Sequence, residues 1–543
     1  MNELRQQLAG AWKNPHLLLI GLGSSLALLL AVGNLIRPLY SQLTDHIYLE
    51  RQATALQPAF RADLETLGEV PRYILIATVD PESGNVTGRM TVHYTNRSEA
   101  ALPDLVFRLY ANAQTIYGGG SLTVERIAQG KAGLEMELSE DRTVLYVPLQ
   151  RPLKRGQATS LDLFFTAQVP SQSSRGYGIF NRAQGVLTLA GWYPVLALYD
   201  GGWQTPPVPL VGDALLAEIS LYEVTLTVPS GYDVVSTGIL VGQQGGEERV
   251  TWHLVSGPAR EFAVAISERF EEHETKVGAV TIHLYTLPAD NPAVTAEKAL
   301  QMASKAFEAY VDRFGVYPFT ELDVVETGVS IGGYEFPGMV HVQAVKRIQG
   351  PLDNYQYLVA HEVAHQWWYG LVGNHFVEEP WLDESLATYA TVIYLEHAGD
   401  AQAGGNLVAY WKRTYGLRER QEPPVNSSAL SFRGWGSYRQ TVYIHGALFL
   451  DQLRQELGDE KFFELLQRHQ ATHRYRMATT ADFLNLAEEV ASRDLDPIFK
   501  DWFEPDVAGG RAHRTLHGRR QPVRSFLPGR RGGSSLGEGP TPQ

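Results

Sequence analysis

Cysteine is absent from the sequence, so neither disulfide bonds nor thiolate metal ligands are available to this chain. Any zinc site must therefore use nitrogen and oxygen donors. Excess positive charge is lacking as well, because 60 acidic residues outnumber 46 basic ones and give a net charge of −14. Residues 511–543 alone hold seven Arg and one Glu, so the rest of the chain is more acidic still. An acidic body argues against nucleic acid as the substrate.

One apolar run, residues 17–36, carries no charged side chain over its twenty positions. A helix of this length spans about 30 Å, the thickness of the hydrocarbon layer of a bilayer. We predict a transmembrane anchor there, preceded by a short segment 1–16 and followed by a polar helical stalk over 37–66. A cleaved signal peptide is the alternative, since Ala31-Val32-Gly33 has the small-x-small pattern of a cleavage site. The anchor predicts a single-pass protein of the cell membrane with its globular part outside the cytoplasm.

From Tyr73 onward the pattern changes to short alternating segments that are separated by turn residues. The predicted strands are 73–80, 88–96, 105–110, 143–148, 160–166, 222–229, 250–255 and 261–266. Their number and spacing predict a large antiparallel β domain over residues 67–278. Trp192, Tyr193 and Trp203 could line a ligand surface, but an aromatic core is the interpretation that we favour.

Helical periodicity takes over after a last strand at 280–285 and predicts a mostly helical domain over residues 279–507. Within it, residues 321–326 are predicted to form an edge strand. The closing stretch, residues 508–543, is rich in Gly, Pro, Arg and Ser and lacks the apolar content for a core. We predict that this basic tail is disordered.

The strongest chemical signal is the sequence His361-Glu362-Val363-Ala364-His365, followed after eighteen intervening residues by Glu384. On a helix, positions i and i+4 share a face, so the two imidazoles can hold one ion. A catalytic zinc needs three protein ligands and an open position, and two His with one Glu are a recognised set. The alternative is two core histidines satisfied by hydrogen bonds, which leaves Glu362 buried without a reason.

Two further motifs flank this stretch, Gly332-Gly333-Tyr334-Glu335-Phe336 upstream and Tyr443-Ile444-His445-Gly446 downstream. Together the three motifs resemble the aminopeptidase N-like family of gluzincin zinc metallopeptidases, from about Tyr73 to Phe503. The resemblance implies an α+β protein in which a thermolysin-like, mostly helical zinc peptidase domain follows the β domain. It also implies one Zn²⁺ per chain and peptide substrates with a free N-terminus.

The resemblance assigns a role to each motif residue. It implies His361, His365 and Glu384 as zinc ligands, Glu362 as general base and later acid, Tyr443 as donor to the oxyanion, Glu335 as partner of the substrate α-amino group, and Gly332 and Gly333 as backbone that hydrogen-bonds the peptide. The chain departs from the family pattern, which reads Gly-Ala-Met-Glu-Asn and Tyr-Glu-Lys-Gly at these two places. His341, His375, His397 and His445 are expected to be ordinary surface or core residues.

We therefore expect a zinc-dependent aminopeptidase that removes N-terminal residues from peptides. One alternative is a zinc endopeptidase of the same fold, in which Glu335 does not bind the amine. Equal cleavage of N-acetylated and free peptides would decide for the endopeptidase. The other alternative is a catalytically silent, membrane-anchored binding module, which bound zinc would argue against.

Overall fold

The computed structural model describes residues 46–171, 176–289, 294–344, 353–417 and 422–503. The segment 1–16, the apolar run 17–36 and the basic tail 508–543 lie outside these residues. Within the described ranges, no helix is both long and apolar enough to cross a bilayer. The predicted localisation at the cell membrane, with an extracytoplasmic catalytic domain, is therefore corrected: no element of the described structure supports a membrane partner.

The first folded unit, called the β unit below, is built from strands β1–β16. Their bounds are β1 Arg72–Asp80, β2 Asn85–Thr95, β3 Leu102–Arg108, β4 Ser121–Gln129, β5 Ala132–Leu134, β6 Glu137–Leu138, β7 Val144–Leu153, β8 Ala158–Gln168, β9 Phe180–Ala183, β10 Val186–Leu189, β11 Val195–Leu196, β12 Ser220–Pro229, β13 Asp233–Ser236, β14 Ile239–Gly245, β15 Arg249–Ala259 and β16 Val264–Ser267.

These strands form one eight-stranded sheet, in the order β14-β15-β12-β1-β2-β8-β4-β5, and two four-stranded sheets. All neighbours in the large sheet are antiparallel except β1 and β12, which run parallel. Period-two burial along β2 reflects the alternation read in the sequence. The aromatic core is confirmed for Trp192 and Tyr193, which are fully buried.

The second unit, called the mixed unit, combines a five-stranded sheet with helices. Its strands are β17 Glu271–Val277, β18 Val280–Thr286, β19 Glu321–Thr327, β20 Gly333–Phe336, β21 Met339–Gln343, β22 Val372–Gly373 and β23 Arg476–Met477. The helices, with α1 lying ahead of the β unit, are α1 Asp63–Thr66, α2 Ala296–Phe314, α3 Asp353–Ala364, α4 Trp381–His397, α5 Ala401–Tyr415, α6 Trp435–Tyr438, a π-helix Arg439–His445, α7 Gly446–Leu457, α8 Asp459–His473, α9 Thr480–Ala491 and α10 Asp496–Trp502.

The five-stranded sheet runs in the order β17-β18-β19-β21-β20. The prediction of an edge strand at 321–326 was wrong, because β19 pairs with β18 on one side and β21 on the other. The edges are β17 and β20 instead, and β20 carries Gly333 and Glu335. Since β17 pairs with β18, the natural division between the two units falls between β16 and β17.

Three helices of the mixed unit meet at one side chain. The hydroxyl of Tyr310 on α2 donates to the carbonyl of Ala360 on α3 at 2.8 Å and lies 3.1 Å from the carbonyl of Ala390 on α4. Its ring is fully buried and packs against Trp367. This contact holds the helix of the H-E-x-x-H motif beside the helix that carries Glu384.

The described part of the predicted stalk, residues 46–66, packs onto the body of the protein instead of standing away from it. Gln52 is fully buried, donates to the carbonyl of Tyr222 at 2.9 Å and accepts from the amide of Gly257 at 2.9 Å. Leu56 is fully buried in the core of the mixed unit. The stalk prediction is corrected because these side chains satisfy backbone groups and fill core space.

Candidate metal centre and active site

His361, His365 and Glu384 come together at one buried point between α3 and α4. The two Nε2 atoms of His361 and His365 lie 3.2 Å apart. Oε2 of Glu384 lies 3.3 Å from Nε2 of His361 and 3.6 Å from Nε2 of His365. A tetrahedral zinc with bonds of about 2.0–2.1 Å sets its ligand atoms about 3.3–3.4 Å apart. The three atoms therefore fit a zinc ion.

The surroundings fix the orientation and charge of this set. Nδ1 of His365 lies 2.9 Å from the carbonyl of Trp368, so the ring donates there and turns Nε2 toward the metal position. Burial would raise the pKa of Glu384, but its contacts with both His outweigh burial and hold the pKa at about 2. Oε2 of Glu384 has no hydrogen-bond partner among the described residues, which leaves it available as a ligand.

The helix that carries the motif ends within it. α3 ends at Ala364, and tighter turns follow, in which the amide of His365 donates to the carbonyl of Glu362 at 3.2 Å. In this stretch the carbonyl of Trp368 lies beside Nδ1 of His365.

Glu362 points from α3 toward the edge strand β20. A Cβ placed on Gly333 would lie 2.2 Å from Oε1 of Glu362, so only glycine lets the strand pass this close to the carboxylate. Gly332 beside it has a φ of 112°, which favours glycine as well. Burial raises the pKa of Glu362 to about 8, although His365 opposes that shift. The carboxylate therefore lies in a dry position between the strand edge and the metal ligands.

Tyr443 approaches the centre from the opposite side. Its hydroxyl donates a hydrogen bond to Oε1 of Glu384, and its ring stacks on that of His361 with centroids 5.8 Å apart. The residue lies in the π-helical stretch Arg439–His445, whose wider turns are found frequently at functional sites. Ser385 on α4 donates to the carbonyl of Val442 at 2.6 Å and ties this stretch to the helix of Glu384.

A group of buried carboxylates lies next to the metal ligands. Oxygens of Asp213, Glu335 and Asp383 lie within 4.8 Å of one another, and all three residues are buried. Burial, followed by repulsion from neighbouring carboxylates, raises the pKa of Glu335 well above its usual range and that of Asp213 to about 7. Oε1 of Glu335 and Oδ2 of Asp383 have no hydrogen-bond partner among the described residues. The pocket is suited to a cation.

Sequence reasoning missed Asp213. It lies on the loop between β11 and β12 of the β unit, where Gly212 has a φ of 83° and its carbonyl accepts from the hydroxyl of Tyr177 at 3.2 Å. The Asp213 carboxylate lies within 4.8 Å of carboxylate oxygens of Glu335 and Asp383. A loop aspartate distant in sequence from every motif carries no local signal. Only the packing of the two units brings it into the site.

The other histidines lie apart from the metal position, as expected. His341 is fully buried in the core, where burial lowers its pKa to about 3. His445 is buried on the far side of the π-helix, with Nδ1 3.8 Å from Oε2 of Glu422. His375 accepts from the amide of Glu378 at 3.2 Å. Asp383 accepts from the amide of Glu384 at 2.9 Å and from Asn374 at 3.3 Å, so it orients the start of α4.

Comparison with known proteins finds a family match over part of the chain. Residues 298–502 match the model of the peptidase family M1 domain. The chain is 25% identical to a probable aminopeptidase 2 of Sulfurisphaera tokodaii over 308 residues, which cover 52% of this chain and 38% of that protein. It is 25% identical to aminopeptidase N of Streptomyces lividans over 244 residues, covering 42% of this chain and 28% of that protein. The chain thus matches well under half the length of either relative.

Among solved structures, an M1 zinc metallopeptidase of Deinococcus radiodurans superposes with a TM-score of 0.61 at 20% identity, covering 80% of this chain and 94% of that one. A mutant form of that metallopeptidase bound to a Tyr-Ser-Ala substrate gives a TM-score of 0.62 with the same coverage and identity. These likenesses show a shared fold. The predicted α+β class and the resemblance to aminopeptidase N-like proteins are confirmed.

Proposed function

Since residues 298–502 form a peptidase family M1 domain, we propose that the protein is a zinc-dependent aminopeptidase, which hydrolyses the N-terminal peptide bond of peptides. The observation that carries this proposal is the position of a buried anionic pocket directly beside a three-atom zinc site. The zinc site suits hydrolysis of an amide, and the pocket suits the ammonium group of a peptide's first residue.

His361, His365 and Glu384 would hold the zinc ion through Nε2, Nε2 and Oε2. When bound, zinc supplies a Lewis acid that polarises the scissile carbonyl and makes a neighbouring water more acidic. The cation would also lower the pKa of the surrounding carboxylates, whose burial raises it in the protein alone. Glu362 would then be ionised at neutral pH.

Glu362 accepts a proton from the attacking water and returns it to the leaving amine. Its carboxylate lies between the edge strand and the ligand set, so one group can reach both the water and the departing nitrogen. No other described carboxylate projects from α3 at this place, since the helix continues as Val363 and Ala364.

Tyr443 donates a hydrogen bond to the oxygen on which negative charge develops. In the protein without substrate this hydroxyl already donates to Glu384, so it lies beside the metal position. A fixed donor in a buried site stabilises the transition state more than the ground state. The Ser385 contact ties the π-helical stretch that carries Tyr443 to α4.

Glu335 accepts from the α-ammonium group of the substrate, and Asp213 adds a second negative charge to the same pocket. Backbone groups of Gly333, at the unpaired edge of β20, and of Gly332 just before it hydrogen-bond the peptide as an added strand. A buried pair of carboxylates that repel one another gains free energy when a cation enters. This gain selects free N-termini.

The test uses one peptide amide in two forms, with a free and with an acetylated N-terminus, assayed with and without a chelator. We expect cleavage of the free form only, complete loss of activity after chelation and recovery with added zinc. Equal cleavage of the acetylated form would replace the proposal by the endopeptidase alternative. If the purified protein neither contains nor takes up zinc, both the aminopeptidase proposal and the endopeptidase alternative are refuted.

A further inference from the structure

A second cavity lies where three parts of the molecule meet, separate from the zinc site. Its volume is about 530 Å³, within the range of roughly 300–1,000 Å³ typical of small-molecule sites. Its walls come from the segment around α1, from the β unit and from the chain between α8 and β23. Six charged side chains line it: Arg97, Arg260, Arg474, Arg476, Asp63 and Glu218.

The charges in this cavity do not balance. Arg97 forms an ion pair with Glu218, and Arg474 forms one with Asp63 at 3.0 Å. Arg260 and Arg476 also line the cavity, yet neither forms an ion pair within the part of the chain that the structure describes. Both lining carboxylates are therefore already used, and two positive charges remain.

Arg260 is the more unusual of the two because it is fully buried. Its Nε donates to the carbonyl of Tyr369 at 2.9 Å and its Nη2 donates to the carbonyl of Arg476 at 2.8 Å. Its Nη1 has only the thioether sulfur of Met477 at 3.1 Å, which is a weak acceptor. Fully buried charges are normally paired with an opposite charge, and this one has only neutral partners.

A glycine makes room for the guanidinium of Arg260 itself. A Cβ on Gly373 would lie 2.2 Å from Cζ of Arg260, so any other residue there would displace the side chain. The adjacent Glu261 does not balance the charge, because its carboxyl group accepts from Tyr369 and burial raises its pKa to about 8. The chain thus places a buried guanidinium in the wall of the cavity with no carboxylate at ion-pair distance among the described residues, and only the more distant Asp383 attracts it.

We propose that this cavity binds a small phosphate-bearing anion, with the exposed Arg476 as its main contact, Arg97 and Arg474 framing it and the buried Arg260 adding positive charge behind the lining. The planar guanidinium group suits the oxygens of phosphate, which it can contact in pairs. A dianion matches the two unbalanced positive charges. Free phosphate and a phosphate monoester share this chemistry.

The test is isothermal titration calorimetry of the zinc-loaded full chain with inorganic phosphate and, separately, with glycerol 1-phosphate, at constant ionic strength. We expect saturable binding to one site and about tenfold weaker binding to R476Q, because this variant loses a charge-assisted hydrogen bond to the anion. Arg151→Gln is the matched control, because Arg151 is exposed on β7 and lies outside the cavity lining. R97Q is a second variant in the cavity and should also weaken binding.

The two ligands identify the source. Tighter binding of the monoester assigns the site to an organic phosphate, whereas equal binding assigns it to free phosphate. Absence of binding to the wild type overturns the proposal. Binding that persists in R476Q and R97Q but disappears after zinc removal would place the anion at the zinc centre and overturn it as well.

Discussion

The hydroxyl of Tyr443 and the carboxylate of Glu384 are joined by a hydrogen bond, although 59 positions separate them in the chain. The bond uses Oε1 of Glu384, while Oε2 faces the two histidines. One carboxylate therefore faces the proposed zinc ligands with one oxygen and holds the hydroxyl of Tyr443 with the other. In the proposed reaction this hydroxyl leaves Glu384 when it donates to the substrate oxygen.

Replacing Tyr443 with Phe should lower kcat by about 10²–10³-fold and leave KM nearly unchanged. The reason is that the lost hydrogen bond forms with charge that develops only in the transition state. Steady-state kinetics on an aminoacyl amide measure the effect. Y438F is the control, since the Tyr438 ring lies 5.8 Å from that of Tyr443 and its hydroxyl has no partner among the described residues. A comparable loss in both variants would contradict the role of Tyr443.

Replacing Glu362 with Gln should abolish turnover and spare zinc binding. Glutamine keeps the size of the side chain beside Gly333 but cannot accept a proton. Zinc content by elemental analysis and activity are measured on the same preparation. Substantial activity with full zinc occupancy would refute the general-base assignment, whereas loss of zinc would show that Glu362 acts on the metal site.

Replacing Asp213 with Asn should lower kcat/KM for peptides with a free N-terminus by about tenfold, and Glu335→Gln should lower it further. Each change removes one negative charge from the ammonium pocket, and a hydrogen bond to a charged group contributes about 1.5–3 kcal/mol. D200N is the control, because Asp200 is exposed on the same unit. If D213N matched the wild type, the β unit would have no part in recognising the amine.

Glu261 predicts a dependence of stability on pH. Burial raises its pKa from the ordinary 4.5 to about 8, so the folded state holds a proton that the unfolded state releases. Its contribution is complete below pH 4.5 and is lost as the pH rises through about 8. Between those values Glu261 should make the free energy of unfolding of the wild type fall by about 1.4 kcal/mol per pH unit. In Glu261→Gln this fall should be absent. Urea unfolding at several pH values tests this, and parallel curves for the two proteins would contradict it.

Gln52 predicts that the segment 46–66 is an integral part of the fold. Gln52→Ala leaves the carbonyl of Tyr222 and the amide of Gly257 buried without partners, which should cost about 2–4 kcal/mol. Gln243→Ala, an exposed glutamine on β14, should change stability by less than about 0.5 kcal/mol. Equal unfolding midpoints for the two variants would show that the segment packs only loosely.

The sequence by itself determined the elements whose signal is local. Alternation predicted most strands of the β unit, and the i, i+4 spacing predicted the two imidazoles on one helix. Glu384 could be predicted as a ligand because the resemblance to the family fixed its spacing from the motif. The same local reading failed at residues 321–326 and 46–66, because whether a strand lies at an edge and whether a polar helix is buried depend on partners distant in sequence.

Only the tertiary structure decided which residues of the β unit contact the mixed unit. It brought Asp213 from a loop of the β unit to within reach of Glu335, and it enclosed Arg260 among backbone carbonyls of the mixed unit. Neither residue lies in a motif, since the contacts that define it come from another part of the chain. Short-range periodicity records how a segment packs against its own sheet or helix neighbours. It does not indicate which distant segment will place a charged side chain next to it.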